Sequence, residues 1–158
     1  MNKGKIRRMQ DIYRKIDEII IHCTDTPKGM DVGVAEIDDW HRQKGWQGCG
    51  YHFVVRLDGS VEVGRDLNRA GAHCKDHNPF SIGIAYVGGR NADGETDDTR
   101  TPAQKVALKA LLVALHEVWP RAELHGHNEF SLKACPCFNV KAVYGKLFDQ
   151  QDEDDEFD

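Results

Sequence analysis

Three side chains of this sequence could hold a metal ion between them. His22 closes the apolar run Ile19-Ile20-Ile21, His127 follows a second short apolar segment more than a hundred residues later, and Cys135 lies eight residues beyond it. Two imidazoles and a thiolate are good ligands for a borderline-soft cation such as zinc, and three protein ligands leave one position open, as in catalytic rather than structural zinc sites. Water in that position has its pKa lowered toward neutrality, and a carbonyl beside the metal is polarised. The residues leave alternatives open. His125 stands two before His127 and would share its side of a strand, and Cys137 competes with Cys135 in the same way. Lys133 could stabilise an oxyanion on an attacked carbonyl, and the Tyr51 hydroxyl could donate to that carbonyl or assist proton transfer. The ordinary readings of those two are a solvated loop charge and a strand aromatic in the core.

A chain of 158 residues with 40% hydrophobic composition suffices for one domain, burying on the order of 70% of its extended surface. The formal charge is -5, but six acidic side chains fall within residues 152–158, so the rest is near neutral. A basic footprint for nucleic acid is absent, and Lys3, Lys5, Arg7 and Arg8 read as a solvated leader. No apolar stretch of signal-peptide length follows those charges, and no run approaches the ~20 apolar residues of a membrane span. The chain therefore reads as a protein made in the cytoplasm. Five cysteines, Cys23, Cys49, Cys74, Cys135 and Cys137, are odd in number and irregularly spaced, which argues for reduced thiols rather than a disulfide framework.

The elements that must position these groups follow from pattern. Residues 1–15 form a basic leader, 16–149 one domain, and 150–158 an acidic tail expected to be disordered. Residues 16–22 predict a strand covered on both faces, with His22 at its end. Val34 to Gly45 carries Val34, Ile37, Trp40 and His41 at helical spacing. Residues 51–57 and 60–63 flank Asp58-Gly59 and predict a hairpin with a two-residue turn, because Asp-Gly tolerates positive backbone angles. A Gly- and His-rich loop over 64–80 leads to a buried strand from Ser81, and 90–100 reads as a charged, exposed loop. Thr101-Pro102-Ala103-Gln104 starts a helix with a hydroxyl cap and a glutamine that reaches back. That helix runs to about Trp119, with Leu108, Leu111, Leu112 and Leu115 on one stripe. Residues 122–125 predict a short strand delivering His127, and Asn139 caps a last helix over roughly 140–148. His41, His52, His73, His77 and His116 read as surface or packing residues, with His73 in the loop best suited to function.

The order His22, Tyr51, His127, Lys133, Cys135 resembles the zinc-dependent N-acetylmuramoyl-L-alanine amidases of the type-2 family, above all the small bacteriophage lysozyme-like amidases, and through them the peptidoglycan recognition proteins. The likeness spans residues 17 to 148. It rests on Ile20-Ile21-His22-Cys23-Thr24, Trp40-His41, Gly45-Trp46, Gly50-Tyr51-His52-Phe53, Asp58-Gly59, Ser81-Ile82-Gly83-Ile84, Val87-Gly88-Gly89, Thr101-Pro102-Ala103-Gln104 and Lys133-Ala134-Cys135-Pro136. The resemblance implies one zinc per chain on His22, His127 and Cys135, since the family's second histidine follows a glycine and its cysteine precedes the proline. It implies Tyr51 and Lys133 as the catalytic pair, and His73 and Asn78 as substrate contacts in the loop lining the groove. The implied fold is a mixed α+β domain, a central mixed β-sheet flanked by helices. The implied reaction is hydrolysis of the amide between N-acetylmuramic acid and L-alanine of peptidoglycan, by a monomeric phage or prophage endolysin reaching the wall after release across the inner membrane. Rival readings are a cytoplasmic recycling amidase acting on anhydromuramyl peptides and a peptidoglycan-binding module without activity; such modules typically lack the cysteine. Some phage relatives also bind a phage RNA polymerase, which the residues of this chain neither favour nor oppose. The chain departs from the family pattern in its basic leader, Cys137 and acidic tail.

Overall fold

The computed structural model describes residues 11–149; the basic cluster Lys3 to Arg8 and the acidic tail lie outside them. Strand β1 (Glu18–Cys23) is buried at all six positions, as its continuous apolar run requires of a strand covered on both faces. It is central in a five-stranded sheet with β3 (Phe53–Val55), β4 (Val61–Val63), β5 (Ser81–Tyr86) and β7 (Glu123–Gly126), in the order β4-β3-β5-β1-β7. Among the described strands of this sheet only β3 and β4 pair antiparallel, so the sheet is mixed. A two-stranded ribbon, β2 (Thr26–Pro27) with β6 (Gly89–Arg90), stands beside it.

Alternation along the strands sorts the core into two layers. Ile19, Ile21 and Cys23 face one way with Phe53, Val55, Ile82, Ile84 and Tyr86, and helix α2 (Pro102–Val118) covers them with Leu108, Leu111, Leu112 and Leu115. Each of those leucines is fully buried, worth about 1.5–3 kcal/mol apiece. On the other face Val54 packs with Val32, Ile37 and Cys49, bringing in helix α1 (Val34–Gln43). A third helix, α3 (Val140–Tyr144), capped by the Asn139 side chain, continues as a 3-10 turn to Leu147 and packs against β7. Among the described residues no helix is long and apolar enough to cross a membrane.

Two local expectations change. The hairpin does not use a two-residue turn: Gly59 N–H donates to Arg56 O and Arg56 N–H to Ser60 O, so the loop is Leu57-Asp58-Gly59. Only Gly59 takes a positive φ, +86°, while Asp58 does not, which is the pattern of a turn followed by a left-handed glycine rather than a primed turn. The stretch 90–100 is not uniformly exposed either. Arg90 enters β6, and Arg100 is buried, its guanidinium 3.6 Å from the Phe138 ring centroid and bonded to Asp98 and the Tyr144 hydroxyl.

The cap of α2 forms as its sequence predicts: Thr101 Oγ1 accepts from Gln104 N–H, and Gln104 Oε1 accepts from Thr101 N–H. Gln104 also donates through Nε2 to the carbonyls of Val55 and Val87, tying the helix start to the sheet. Thr101→Ala should therefore cost about 1 kcal/mol. Gln104→Ala should cost about 1–3 kcal/mol more, since the Val87 carbonyl loses its side-chain partner in a buried site. Equal losses in chemical denaturation would confine Gln104 to capping.

Candidate metal centre

Register brings the two imidazoles together. β1 and β7 are parallel neighbours with Ile21 opposite Gly126, so the next residue on each, His22 and His127, projects from the carboxyl ends of adjacent strands. Such ends are where open α/β sheets place ligands. The ring centroids are 4.5 Å apart. Cys135 is folded back onto the same strand end, its Sγ accepting the Cys23 N–H at 3.2 Å, and the Tyr86 hydroxyl donates to Pro136 O at 2.6 Å to hold that loop. Ligand atoms of His22, His127 and Cys135 all lie within 4.8 Å of one another.

The chemistry of these atoms suits a cation. Among the described residues His127 Nδ1 is buried with no hydrogen-bond partner, which leaves it available to a ligand. His22 Nε2 lies 2.8 Å from His73 Nδ1, which leaves its own Nδ1 for a ligand. Burial first, then His73 and His127, hold the His22 imidazole well below its ordinary pKa; burial and then the Lys133 charge lower that of His127. Both are thus neutral, the form that binds metal. A side-chain hydrogen bond from Cys23 is the largest influence lowering the Cys135 thiol, and burial works against it.

The decoys are otherwise engaged. His125 reaches Glu129 at 3.0 Å, Glu123 at 3.1 Å and Glu18 at 3.5 Å. Cys137 takes a positive φ of 71° and donates its thiol to Gly89 O at 3.6 Å. His41 Nδ1 accepts from Gly50 N–H and His52 Nδ1 from Gly83 N–H, so both tie backbone together.

Tyr51 packs its ring 5.3 Å from that of His22, and burial pushes its phenol above the usual range. Lys133 lines a cavity of about 540 Å³ together with His127, His73, Asn78, Trp46 and Phe130. Asn78 spends its side-chain carbonyl on the N–H groups of His73 and Cys74. A cavity of similar size, about 530 Å³ between the hairpin and α2, contains no histidine or cysteine.

A family model of N-acetylmuramoyl-L-alanine amidase matches residues 12–138. The chain belongs to this amidase family. It is 44% identical over 133 residues to an endolysin of Klebsiella phage KP32, covering 84% of this chain and 88% of that one. It is also 44% identical over 130 residues to an endolysin of Escherichia phage T7, covering 82% and 86%. The fold is similar to that of an endolysin N-acetylmuramoyl-L-alanine amidase, LysCS, from Clostridium intestinale, with TM-score 0.73, 32% identity, and 85% and 84% coverage.

Sequence reasoning does not identify Glu129 as part of this amidase's site. The turn His127–Glu129 presents His127, and Glu129 Oε2 accepts the Gly126 N–H at 2.7 Å while Oε1 meets His125 and, at 2.8 Å, Lys141. A glutamate three residues after a cap is a legible signal. Burial raises the Glu129 carboxyl, but His125, Lys141 and Gly126 together outweigh it and hold it below the ordinary range. A depressed folded pKa gives stability that is full above the unfolded value of about 4.3 and is lost as pH falls through the folded one. Glu129→Gln should lower the thermal midpoint at neutral pH, with the gap closing below about pH 4. A gap that persists undiminished there would show that the charge is not what holds the turn.

Proposed function

We propose that this amidase hydrolyses the amide between the lactyl group of N-acetylmuramic acid and L-alanine of the stem peptide, with one zinc held by His22, His127 and Cys135. The observation carrying the reading is the convergence of those three ligand atoms, two nitrogens and one sulfur, beside an open cavity. Zinc there would supply a Lewis acid for the scissile carbonyl and acidify an attacking water. The remaining work falls to the chain. Lys133, in the cavity with His127, places an ammonium where the carbonyl oxygen gains negative charge. Tyr51, beside His22, donates its hydroxyl to the same oxygen, and Tyr51 or a water passes the proton to the leaving amine. The cavity takes the muramyl-peptide stem, with His73 along its wall.

The phage endolysins among the relatives support a setting in which the protein is made in the cytoplasm, in a phage or prophage context, and acts on the wall once across the inner membrane. The same relatives favour wall over soluble anhydromuramyl peptides as substrate. Cys135, a cysteine that non-catalytic recognition modules typically lack, favours turnover over mere binding.

Purified cell walls should release stem peptides with new L-alanine amino termini while the glycan stays intact; intact walls with no such termini would overturn the reading. Cys135→Ser should lose zinc and hydrolysis together, whereas Cys137→Ser and His125→Ala keep both. Lys133→Ala should keep zinc and lose turnover by about 10²–10³-fold. Loss of zinc from Cys137→Ser with retention in Cys135→Ser would reverse the ligand assignment.

A further inference from the structure

His73 lines the cavity, as a substrate contact would, yet both of its ring nitrogens are engaged inward. Nδ1 lies 2.8 Å from His22 Nε2, and Nε2 lies 3.1 Å from Ser81 Oγ. We propose that His73 is a positioning residue for His22, fixing which nitrogen that imidazole presents to the metal, and does not grip substrate. This rests on the zinc reading above.

The hydrogen bonds permit one consistent direction. A neutral His22 that offers Nδ1 to a cation carries its proton on Nε2, and that N–H donates to His73 Nδ1. A His73 ring accepting at Nδ1 carries its own proton on Nε2 and donates to Ser81 Oγ. No ring nitrogen of His73 is left for a ligand in the cavity. Metal-bound histidines ordinarily donate their second ring N–H to a partner that sets tautomer and orientation.

The surroundings are shaped for this ring. Strand β5 turns Ser81, Gly83 and Ala85 toward the site, all buried and small, and a Cβ at Gly83 would come within 2.5 Å of the His73 ring. The His73 ring stands edge-on to that of His22, at 4.9 Å and 89°. Its backbone is pinned as well: Asn78 Oδ1 accepts from the His73 and Cys74 N–H groups at 2.9 and 3.0 Å, and Ala72 N–H donates to Gly50 O. Behind it, His52 is fixed between Gly83 N–H and Arg69 O. The cavity wall at His73 is therefore a rigid support.

The test is a zinc titration of chelator-stripped wild type, His73→Ala, His73→Asn and Ser81→Ala, with the thiolate charge-transfer band of the cobalt-loaded forms, the thermal midpoint of each metal-free form, and KM on a soluble muramyl peptide under saturating zinc. His73→Ala should weaken zinc about 10–100-fold and shift the cobalt band, with KM changed by no more than about twofold. His73→Asn, whose carboxamide oxygen can take the acceptor place of Nδ1, should recover most of that affinity. Ser81→Ala should lose less than His73→Ala. Unchanged zinc affinity with KM raised about tenfold would make His73 a substrate contact and overturn the proposal. So would equal zinc loss in His73→Ala and His73→Asn that tracks a common fall in thermal midpoint. If His73→Ala does not fold, Ser81→Ala decides: weaker zinc at unchanged KM supports the proposal, and unchanged zinc overturns it. A wild type that takes up no zinc at all would overturn the metal reading, and the role of His73 with it.

Discussion

The parallel register between β1 and β7 is the constraint on which the site depends. Neighbouring strands lie about 4.8 Å apart, so with Ile21 opposite Gly126 the next residue on each strand brings His22 and His127 together without any loop having to find the geometry. The register in turn rests on β1 being buried along its whole length. A slip by one residue would turn Ile19 and Ile21 away from α2 and carry His22 into the leucine layer. The same apolar packing that stabilises the domain thus fixes the spacing of the two imidazoles.

Burial supplies the second half of the chemistry. Imidazoles set at strand ends inside the protein are held neutral, and the Cys135 sulfur accepts the Cys23 backbone N–H. Space for these rings comes from what β5 omits: on the face turned to His22 it carries only Ser81, Gly83 and Ala85, while its other face is filled by Ile82, Ile84 and Tyr86. Polar groups nearby are satisfied in chains, Glu18 with His77 and His125, Glu129 with Gly126 and Lys141. This edge of the sheet is therefore tied down by hydrogen bonds, while Lys133, Lys75 and Asp76 stand exposed at the cavity.

Much of this frame is legible in the sequence. The Thr101-Pro102-Ala103-Gln104 cap, the leucine stripe of α2 and the run ending at His22 each carry a local physical signal, and each forms the expected element. The turn at Asp58-Gly59 shows the limit of a dipeptide rule, because the three-residue alternative uses the same glycine with one positive φ instead of two. Spacing alone does not separate His127 from His125, or Cys135 from Cys137; the family resemblance does. In space the distinction is tertiary: three glutamates from two strands and a turn surround His125, and a left-handed backbone sends Cys137 to Gly89. The bond between His22 and His73 joins positions 51 apart and leaves no periodic trace. Gly83 inside a strand, where a glycine marks close approach, is its one local sign.

The central claim is that His22, His127 and Cys135 form one metal centre. X-ray absorption at the zinc edge of the loaded wild-type protein tests it most directly. The account predicts a single sulfur scatterer at about 2.3 Å with nitrogen or oxygen neighbours at about 2.0–2.1 Å. A shell with no sulfur, or with two, would contradict it.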